Sequence, residues 1–119
     1  EASETMAYTR YVLEKGLAGD LLDLHVALSP CIIGYAEIAN EITRQQAHGQ
    51  PDNPYQAWIE MYASDEYQAA ATAETDMLDR LLAERGGAGR IDGLVECFGQ
   101  ATRLEVDFWQ MGLDAALSI

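Results

Sequence analysis

The sequence predicts an all-α protein, a bundle of about five helices. Apolar residues recur at the three- and four-residue spacing of helices, Gly and Pro residues gather in short clusters between these segments, and no segment is a convincing strand. The 119 residues with 49% hydrophobic content suit one compact domain over residues 1–119.

The first two helices occupy the N-terminal part of the chain. The first is predicted over about residues 5–15, with Gly16 as a left-handed stop. The second begins after Asp20, a good N-cap that is followed three residues later by Asp23. Its apolar pattern extends to about residue 47, so it is the long central helix of the prediction.

Three further helices complete the predicted bundle. After the loop HGQPDNP, Asn53 caps a short helix in which Pro54 takes the first position and which ends near Tyr62. Ser64 begins a fourth helix that extends to about residue 84, where RGGAG breaks it. The last helix covers about residues 90–117.

The charge of the chain argues against several classes of partner. Asp and Glu number 20 against 7 Lys and Arg, which gives a net charge of -13. Nucleic acids and anionic membrane surfaces both require a basic patch on the protein, so we expect neither as a partner. A transcriptional regulator likewise finds no support in so acidic a chain.

No targeting signal is recognisable in the sequence. The N-terminus has no basic start followed by an apolar run, so no signal peptide is predicted. Ser29, Glu37 and Asn40 interrupt the most apolar stretch before it reaches the roughly 20 residues of a membrane span. We therefore expect a cytoplasmic protein. The chain opens without an initiator Met in the run-up to a helix, so we also expect a fragment.

Metal and cofactor motifs are not recognisable. Cys31 and Cys97 lie far apart and show no metal-type spacing. Neither His25 nor His48 has a glutamate three residues before it, as a carboxylate-bridged di-iron bundle needs. We expect His25 to be a satisfied interior or interface residue and His48 to lie in a loop, and we expect no metal and no cofactor.

The segment ALSPCIIGYAEIA places a proline inside the second helix, directly before a cysteine. Cys31 shares the inward face with Tyr35, one turn further along. Pro30 lacks the N–H that would bond the carbonyl of Val26, which opens the helix at that turn. An isolated inward cysteine is commonly a buried structural thiol, whereas an opened turn beside it suits a pocket. The pattern alone leaves both interpretations open.

A carboxylate interrupts the apolar stripe of the last helix. Glu105 lies at the centre of a stripe formed by Ile91, Leu94, Phe98, Ala101, Phe108, Trp109, Gly112 and Ala116. Burying a bare carboxylate is costly, so Glu105 should be paired, coordinated or protonated, a setting that suits acid/base chemistry. The alternative is an ion pair with another helix, although basic residues are scarce.

Tyrosines recur on the same predicted inward faces. Tyr55, Trp58 and Tyr62 form a stripe on the short helix, and Tyr8 and Tyr11 lie on the first helix. Each of these residues could be ordinary aromatic core. Together with the thiol and the carboxylate, they predict a cavity lined by tyrosines.

Four segments carry a family resemblance. AYTRYVL, ALSPCIIGYAEIA, NPYQAWIEMYASDEYQ and ATRLEVDFWQM occur in an order and spacing that resemble the C-terminal half of the thiaminase II (TenA) family, in its cysteine-containing class. This resemblance implies a heme-oxygenase-like helical bundle that binds no heme. It also implies hydrolysis of 4-amino-5-aminomethyl-2-methylpyrimidine, or of thiamin, to the hydroxymethylpyrimidine in thiamin salvage.

The same resemblance implies roles for five residues. Cys31 would be the nucleophile that adds to the pyrimidine ring, and Glu105 the acid/base residue beside the substrate. Tyr35 would support Cys31 by hydrogen bonding, while Tyr8 and Tyr62 would line the pocket. Addition to an electron-poor ring followed by loss of a substituent needs a thiolate and a proton donor, so the chemistry fits.

The resemblance further implies that the N-terminal helices are missing. Family members are about twice as long, and their N-terminal half supplies an aspartate that grips the pyrimidine. Without it the apolar second helix would lie uncovered. We therefore expect the N-terminal half of the same protein as a partner, or a homo-oligomer such as the family's tetramer, and expect this chain alone to be inactive. The alternative is a non-catalytic helical module that binds a pyrimidine or self-associates.

Overall fold

A computed structural model describes residues 2–46 and 53–117, which form five α-helices and no strand. The helices are α1 (Ser3–Ala18), α2 (Leu21–Gln46), α3 (Gln56–Ala63), α4 (Asp65–Arg85) and α5 (Ile91–Leu117), and a short 3-10 turn precedes α5. The predicted all-α bundle is confirmed.

The first helix continues past the residue that was expected to end it. Gly16 lies inside α1, which ends at Ala18 with Gly19 as the C-cap. A Cβ atom at Gly16 would lie 3.0 Å from Cδ1 of Leu24 on α2. The prediction of a left-handed stop at Gly16 is therefore wrong, because the helix continues through this residue. The missing side chain of Gly16 leaves room for that of Leu24 on the neighbouring helix.

Two helix starts use the predicted caps. The N–H of Asp20 donates to the Asp23 carboxylate at 2.9 Å, and the N–H of Asp23 donates to the Asp20 carboxylate at 3.2 Å. At α4 the Ser64 hydroxyl oxygen accepts the N–H of Tyr67 at 3.2 Å. These side chains bond backbone N–H groups that have no partner within the first turn of the helix.

The third helix begins two residues later than predicted. Pro54 and Tyr55 form a turn, and the Asn53 side-chain oxygen accepts the N–H of Tyr55 at 2.9 Å. Asn53 therefore caps this turn and not the helix itself. Most of the predicted loop before it, including His48, lies outside the described residues.

Helix α2 lies at the centre and contacts all four other helices. Helix α5 runs in the same direction, since Leu22 packs with Leu94 and Tyr35 bonds Glu105 further along both helices. Helix α4 runs antiparallel, since Leu81 near its end packs on Leu22. This arrangement brings the middle of α2 beside the middle of α5.

The apolar core occupies one end of the bundle. Leu22, Leu81 and Leu94 are buried, and Val26 and Met77 pack against them. The apolar stripe of α5 is buried at Leu94 and Ala101 only, among its predicted members. Several others are exposed, against expectation, because no described element covers that side of α5: Ile91, Phe98, Trp109, Gly112 and Ala116.

Helix α2 passes through Pro30 without ending. The Ser29 hydroxyl donates to the carbonyl of Val26 at 2.8 Å. This is the carbonyl that the missing N–H of Pro30 would have bonded, so the neighbouring side chain replaces the lost donor. Sequence reasoning recognised the lost bond but missed its replacement.

Among the described helices, only Leu21–Gln46 is long and apolar enough to cross a membrane by length and composition. The expectation that no segment reaches that length is wrong on those two criteria. The central helix of a bundle meets the same criteria, and α2 contacts every other helix, so the match is weak evidence for a membrane span.

Candidate active site

A hydrogen-bond chain joins the middle of α2 to α5. The Tyr35 hydroxyl donates to Oε2 of Glu105 at 2.6 Å and accepts the indole N–H of Trp109 at 2.8 Å. None of the ion pairs found between described residues includes Glu105. Among the described residues, the carboxylate in the apolar stripe is therefore bonded by a phenol and not by a basic residue of another helix. The resemblance implied a bond from Tyr35 to Cys31, whereas this hydroxyl donates to Glu105.

Cys31 and Tyr8 lie beside Glu105. Burial raises the pKa of the half-buried Cys31 thiol; the nearby Tyr8 hydroxyl lowers it in part, and the charge of Glu105 adds a smaller increase. Burial, followed by the charges of Cys31 and Glu105, also raises the pKa of Tyr8. A thiol, a phenol and a carboxylate from three different helices thus lie close enough to influence one another.

The hydroxyl oxygen of Tyr8 is buried and completes no hydrogen bond with any described residue. Buried polar atoms in native structures nearly always have a partner, so an unpartnered one calls for an explanation. Because this atom lies near Cys31 and Glu105, it marks a place where a polar atom of a ligand could bind.

An aromatic wall stands against Tyr35. The ring of Tyr62 on α3 lies 5.4 Å from that of Tyr35 and 4.7 Å from that of Trp58, between ring centroids. Tyr67 packs edge-on against Tyr62 at 4.7 Å, and its hydroxyl donates to the carbonyl of Ile32 at 2.8 Å. Helices α2, α3 and α4 are therefore joined through tyrosines at the candidate site.

The tyrosine prediction needs three changes. Tyr55 is 70% exposed, so its predicted inward position is wrong, because α3 begins only after it. Tyr67 and Trp109 contact the site but were not singled out for it. Trp109 was assigned only to the apolar stripe, and Tyr67 follows Tyr62 across the helix break at Ser64, where a single helical stripe cannot be traced.

Two clefts open on the side of α2 and α5 that no described helix covers. One, of about 430 Å³, is lined by Pro30, Gly34, Tyr35, Ile38, Phe98, Thr102, Glu105, Val106, Trp109, Gln110 and Leu113. The other, of about 320 Å³, is lined by Leu22, Val26, Ser29, Ile33, Leu78, Asp79, Leu82, Ile91, Leu94, Val95 and Phe98. Phe98 belongs to both, and we call their combined surface the open face.

The larger cleft reaches part of the predicted site. Tyr35 and Glu105 line it, whereas Cys31, Tyr8 and Tyr62 are not among the described residues of its wall. Tyr8, Cys31 and Tyr35 thus lie beside Glu105 and Tyr62 packs against Tyr35, but only Tyr35 and Glu105 line the cleft that this chain leaves open.

Two other pairs of titratable side chains lie away from this group. Nδ1 of His25 lies 2.6 Å from Oε1 of Glu74, which confirms the prediction of a satisfied histidine. Burial, and then the neighbouring Cys97, raises the pKa of Tyr11 to about 12. In the part of the chain that the structure describes, no cluster of three His, Cys, Asp or Glu residues could hold a metal ion.

Comparison with known proteins identifies relatives over almost the whole chain. Residues 1–115 match the sequence profile of the TENA/THI-4/PQQC family. An uncharacterized protein of Haemophilus influenzae is 43% identical over 116 residues, which cover 98% of this chain and 53% of that protein. An aminopyrimidine aminohydrolase of Halalkalibacterium halodurans is 38% identical over 112 residues, which cover 92% of this chain and 48% of the enzyme.

A solved structure shows the same fold. The crystal structure of a protein of Silicibacter sp. TM1040, described as a TenA family transcription regulator, is 47% identical with a TM-score of 0.86. The similarity covers 95% of this chain and 51% of that one. The chain thus spans about half the length of these two relatives and of this structure.

Proposed function

Since the chain belongs to the TENA/THI-4/PQQC family, we propose that it is part of an aminopyrimidine aminohydrolase, or thiaminase II, of thiamin salvage. Its substrate would be 4-amino-5-aminomethyl-2-methylpyrimidine or thiamin, and its product the hydroxymethylpyrimidine. The observation that carries this proposal is the grouping of Cys31, the free Tyr8 hydroxyl and the Tyr35–Glu105 pair. A 38% identical relative named aminopyrimidine aminohydrolase supports it.

In the proposed reaction Cys31 Sγ forms a bond to the electron-poor pyrimidine ring. Its raised pKa keeps Cys31 a thiol at neutral pH, so the sulfur must lose its proton as it attacks. Glu105 is the carboxylate whose charge Cys31 senses, and it takes this proton and returns it to the leaving amine. As the amine accepts this proton, the bond between its nitrogen and the exocyclic carbon breaks. Water then adds at that carbon and gives one proton to Glu105, which passes it to Cys31 Sγ as the bond from sulfur to the ring breaks, so that an amine and water exchange places.

The surrounding rings would hold the substrate. Tyr35, Tyr62 and Trp58 present ring faces and edges within 6.0 Å of one another, a setting suited to a flat heteroaromatic ring. The unpartnered hydroxyl of Tyr8 would bond a polar atom of the pyrimidine. These roles for Tyr8, Tyr35 and Tyr62 belong to the proposal.

The open face supports a partner for this chain. Relatives about twice its length suggest the occupant, so we propose that the N-terminal half of the protein covers this face and completes the site. A homo-oligomer and a cytoplasmic location remain predictions, and so does the inactivity of the chain by itself.

A non-catalytic module is the second candidate function. The exposed apolar residues of α2 and α5 favour it, since self-association alone would bury them. The structural relative is described as a transcription regulator, but the net charge of -13 disfavours contact between this chain and DNA.

The test is product formation by the chain combined with its N-terminal half. Incubation with the aminomethylpyrimidine should release ammonia and the hydroxymethyl product, which mass spectrometry detects.

Cys31→Ala and Glu105→Gln should each lower kcat at least about a hundredfold. Cys97→Ala is the matched control, since this buried thiol lies away from the site. Undiminished turnover by Cys31→Ala would rule out the nucleophile, and absence of product from the unsubstituted pair would favour the non-catalytic module.

A further inference from the structure

The direction of the hydrogen bonds at Glu105 is set by a residue outside the predicted site. An indole N–H can only donate, and a tyrosine hydroxyl carries one proton. Because the Tyr35 oxygen accepts from Trp109 at 2.8 Å, its own proton is directed to Oε2 of Glu105 at 2.6 Å. With Glu105 ionised, and therefore able only to accept, the order of donation along this chain runs from Trp109 to Tyr35 to Glu105.

We propose that Trp109 is a positioning residue for Glu105, which acts through Tyr35 and leaves Oε1 of the carboxylate as the oxygen that exchanges protons with the substrate. This inference rests on the proposed function, because it assigns a role in that reaction. The inference adds to the proposed function the residue that orients the acid/base group and the carboxylate oxygen that exchanges the proton.

The two oxygens of Glu105 differ in their surroundings. Oε2 accepts the short bond from Tyr35. The buried Tyr8 hydroxyl lies near the same carboxylate but completes no hydrogen bond with a described residue, so Oε1 is the oxygen left for the substrate. Glu105 also lines the larger cleft. A carboxylate held at one oxygen and free at the other can accept and return a proton without rotating.

Trp109 is placed to hold this arrangement. It follows Glu105 by four residues, so the two side chains lie one turn apart on the same face of α5. Its ring packs edge-on against Tyr35 at 6.2 Å and against Trp58 at 5.9 Å, between ring centroids. These contacts fix the indole so that its N–H points at the Tyr35 oxygen.

Loss of this N–H changes what Tyr35 can do. Whenever Glu105 is protonated, the Tyr35 oxygen would then accept a hydrogen bond from it more readily, so the opposite bond direction would become more populated. Burial and the Glu105 hydrogen bond raise the pKa of Tyr35, which keeps it a neutral phenol in either case. The protonated Glu105 carboxyl would then spend part of its time donating to Tyr35 and not to the leaving group, which is unproductive for catalysis.

Trp109→Phe tests the inference, because it keeps an aromatic ring and removes the donor. Trp58→Phe is the control for the indole N–H measurement alone: Trp58 is the other tryptophan of this chain, and its ring lies 6.0 Å from that of Tyr35. Tyr35→Phe removes the acceptor while keeping the ring. All variants are made in the chain combined with its N-terminal half.

The first measurement is the indole N–H signals in a nitrogen-15 correlation spectrum, where the two tryptophans of this chain are assigned by the two Trp→Phe variants. Tyr35→Phe should move the Trp109 proton upfield and speed its exchange with water, with a smaller change for Trp58. An unmoved Trp109 signal would overturn the inference, whatever the activity.

The second measurement is a double-mutant cycle on kcat. Trp109→Phe should lower kcat about tenfold with little change in KM, but should have no further effect when Tyr35 is already Phe. Equal effects in both backgrounds would overturn the inference, since Trp109 would then act independently of Tyr35. Failure of the unsubstituted protein to turn over an aminopyrimidine would overturn the proposed function instead, while the indole signal would still decide whether Trp109 orients Tyr35.

Discussion

Cys31 is a thiol whose surroundings oppose its ionisation. Reactive cysteines commonly lie near cationic side chains or helix N-termini, which lower the pKa of the thiol. Here burial and the negative charge of Glu105 raise it. The proposed nucleophile is therefore protonated at rest chiefly because it is buried, and Glu105, which adds to this effect, is the proposed base that accepts its proton.

Alkylation of Cys31 should report this raised pKa. The rate of labelling by iodoacetamide should climb about tenfold for each pH unit between pH 7 and 9 without levelling off, because only the thiolate reacts. Glu105→Gln removes a charge that raises the pKa, so it should speed labelling at pH 8. Peptide mass analysis measures both thiols at once.

Cys97 is the internal control for this experiment. Burial raises its pKa as well, but Glu105 is not among the causes, so Glu105→Gln should leave its labelling rate unchanged. A Cys31 rate that levels off below pH 8 would contradict the assignment of a raised pKa.

At the scale of the element, α2 depends on a local replacement of a backbone bond. Pro30 removes the donor for the Val26 carbonyl, and the Ser29 hydroxyl supplies another at 2.8 Å. Ser29 is 1% exposed, so water cannot substitute for this hydroxyl. The pair Ser-Pro thus acts as a unit that keeps the helix continuous just before Cys31.

Ser29→Ala should lower the free energy of unfolding by about 1–3 kcal/mol, because it leaves a buried carbonyl without a donor. In a Pro30→Ala background, the new backbone N–H can bond the Val26 carbonyl, so the same substitution should cost clearly less. Urea unfolding of the four proteins measures both values. Equal costs in the two backgrounds would show that Ser29 contributes through packing and not through this bond.

The start of α2 is tied to the start of α5 by Arg90. Its guanidinium donates to both oxygens of Asp20 at 3.0 and 3.1 Å and to Asp23 at 3.0 Å. The hydrogen bond from Arg90, followed by that from the Asp23 N–H, lowers the pKa of Asp20. A charged cluster thereby joins two helix starts at the end of the bundle that holds the apolar core.

Arg90→Gln should lower the melting temperature at pH 7. It should also make the melting temperature depend less on pH in the acid range. The folded pKa of Asp20 lies below its unfolded value near 3.9. The stabilisation is therefore fully present above the unfolded pKa and is lost as the pH falls from there through the folded pKa. The melting temperature of the variant should therefore decline less than that of the original chain between pH 5 and 2.

Arg44→Gln is the matched control, since its ion pair with Glu41 is exposed and lies within one helix. It should change neither the melting temperature at pH 7 nor its acid dependence. An Arg90→Gln variant that behaves like this control would show that the cluster makes no contribution to stability.

The sequence predicts the individual helices more reliably than it predicts the contacts between them. The caps at Asp20 and Ser64 act within one turn, so residue type alone predicts them. Periodicity also predicted that Glu105 would lie on the inward face of the last helix. The function of Gly16 was missed because it depends on Leu24 of another helix, and the bond from Trp109 to Tyr35 joins residues 74 positions apart. Such partners are set by packing, which no local pattern records.

The whole molecule exposes more surface than a closed domain of its size. Its accessible surface is 8004 Å², against about 6,400 Å² expected for a folded monomer of 13.1 kDa. Its radius of gyration is 16.3 Å, against about 13.5 Å for a compact domain of 119 residues. The excess of about 1,600 Å² is the scale of one side of a large, permanent interface. Both quantities agree with a chain whose open face is normally covered.

Charges on the open face should therefore prevent assembly without unfolding the chain. Val95 and Val106 are 65% and 61% exposed, and each lines one of the two clefts, so Val95→Glu with Val106→Glu should leave helicity and the unfolding midpoint unchanged. Association with the N-terminal half, measured by sedimentation velocity, should weaken at least about a hundredfold, because two unpaired carboxylates would be buried.

The matched control for the open face is Leu17→Glu. Leu17 lies on α1, is 86% exposed and lines neither cleft, so its substitution should leave association unchanged while adding charge of the same sign. If the doubly substituted chain binds the N-terminal half as well as the original does, the open face is not the interface. The other half would then have to reach Glu105 and Cys31 from the side of α1 and α3, because the larger cleft would not be the route by which the site is completed.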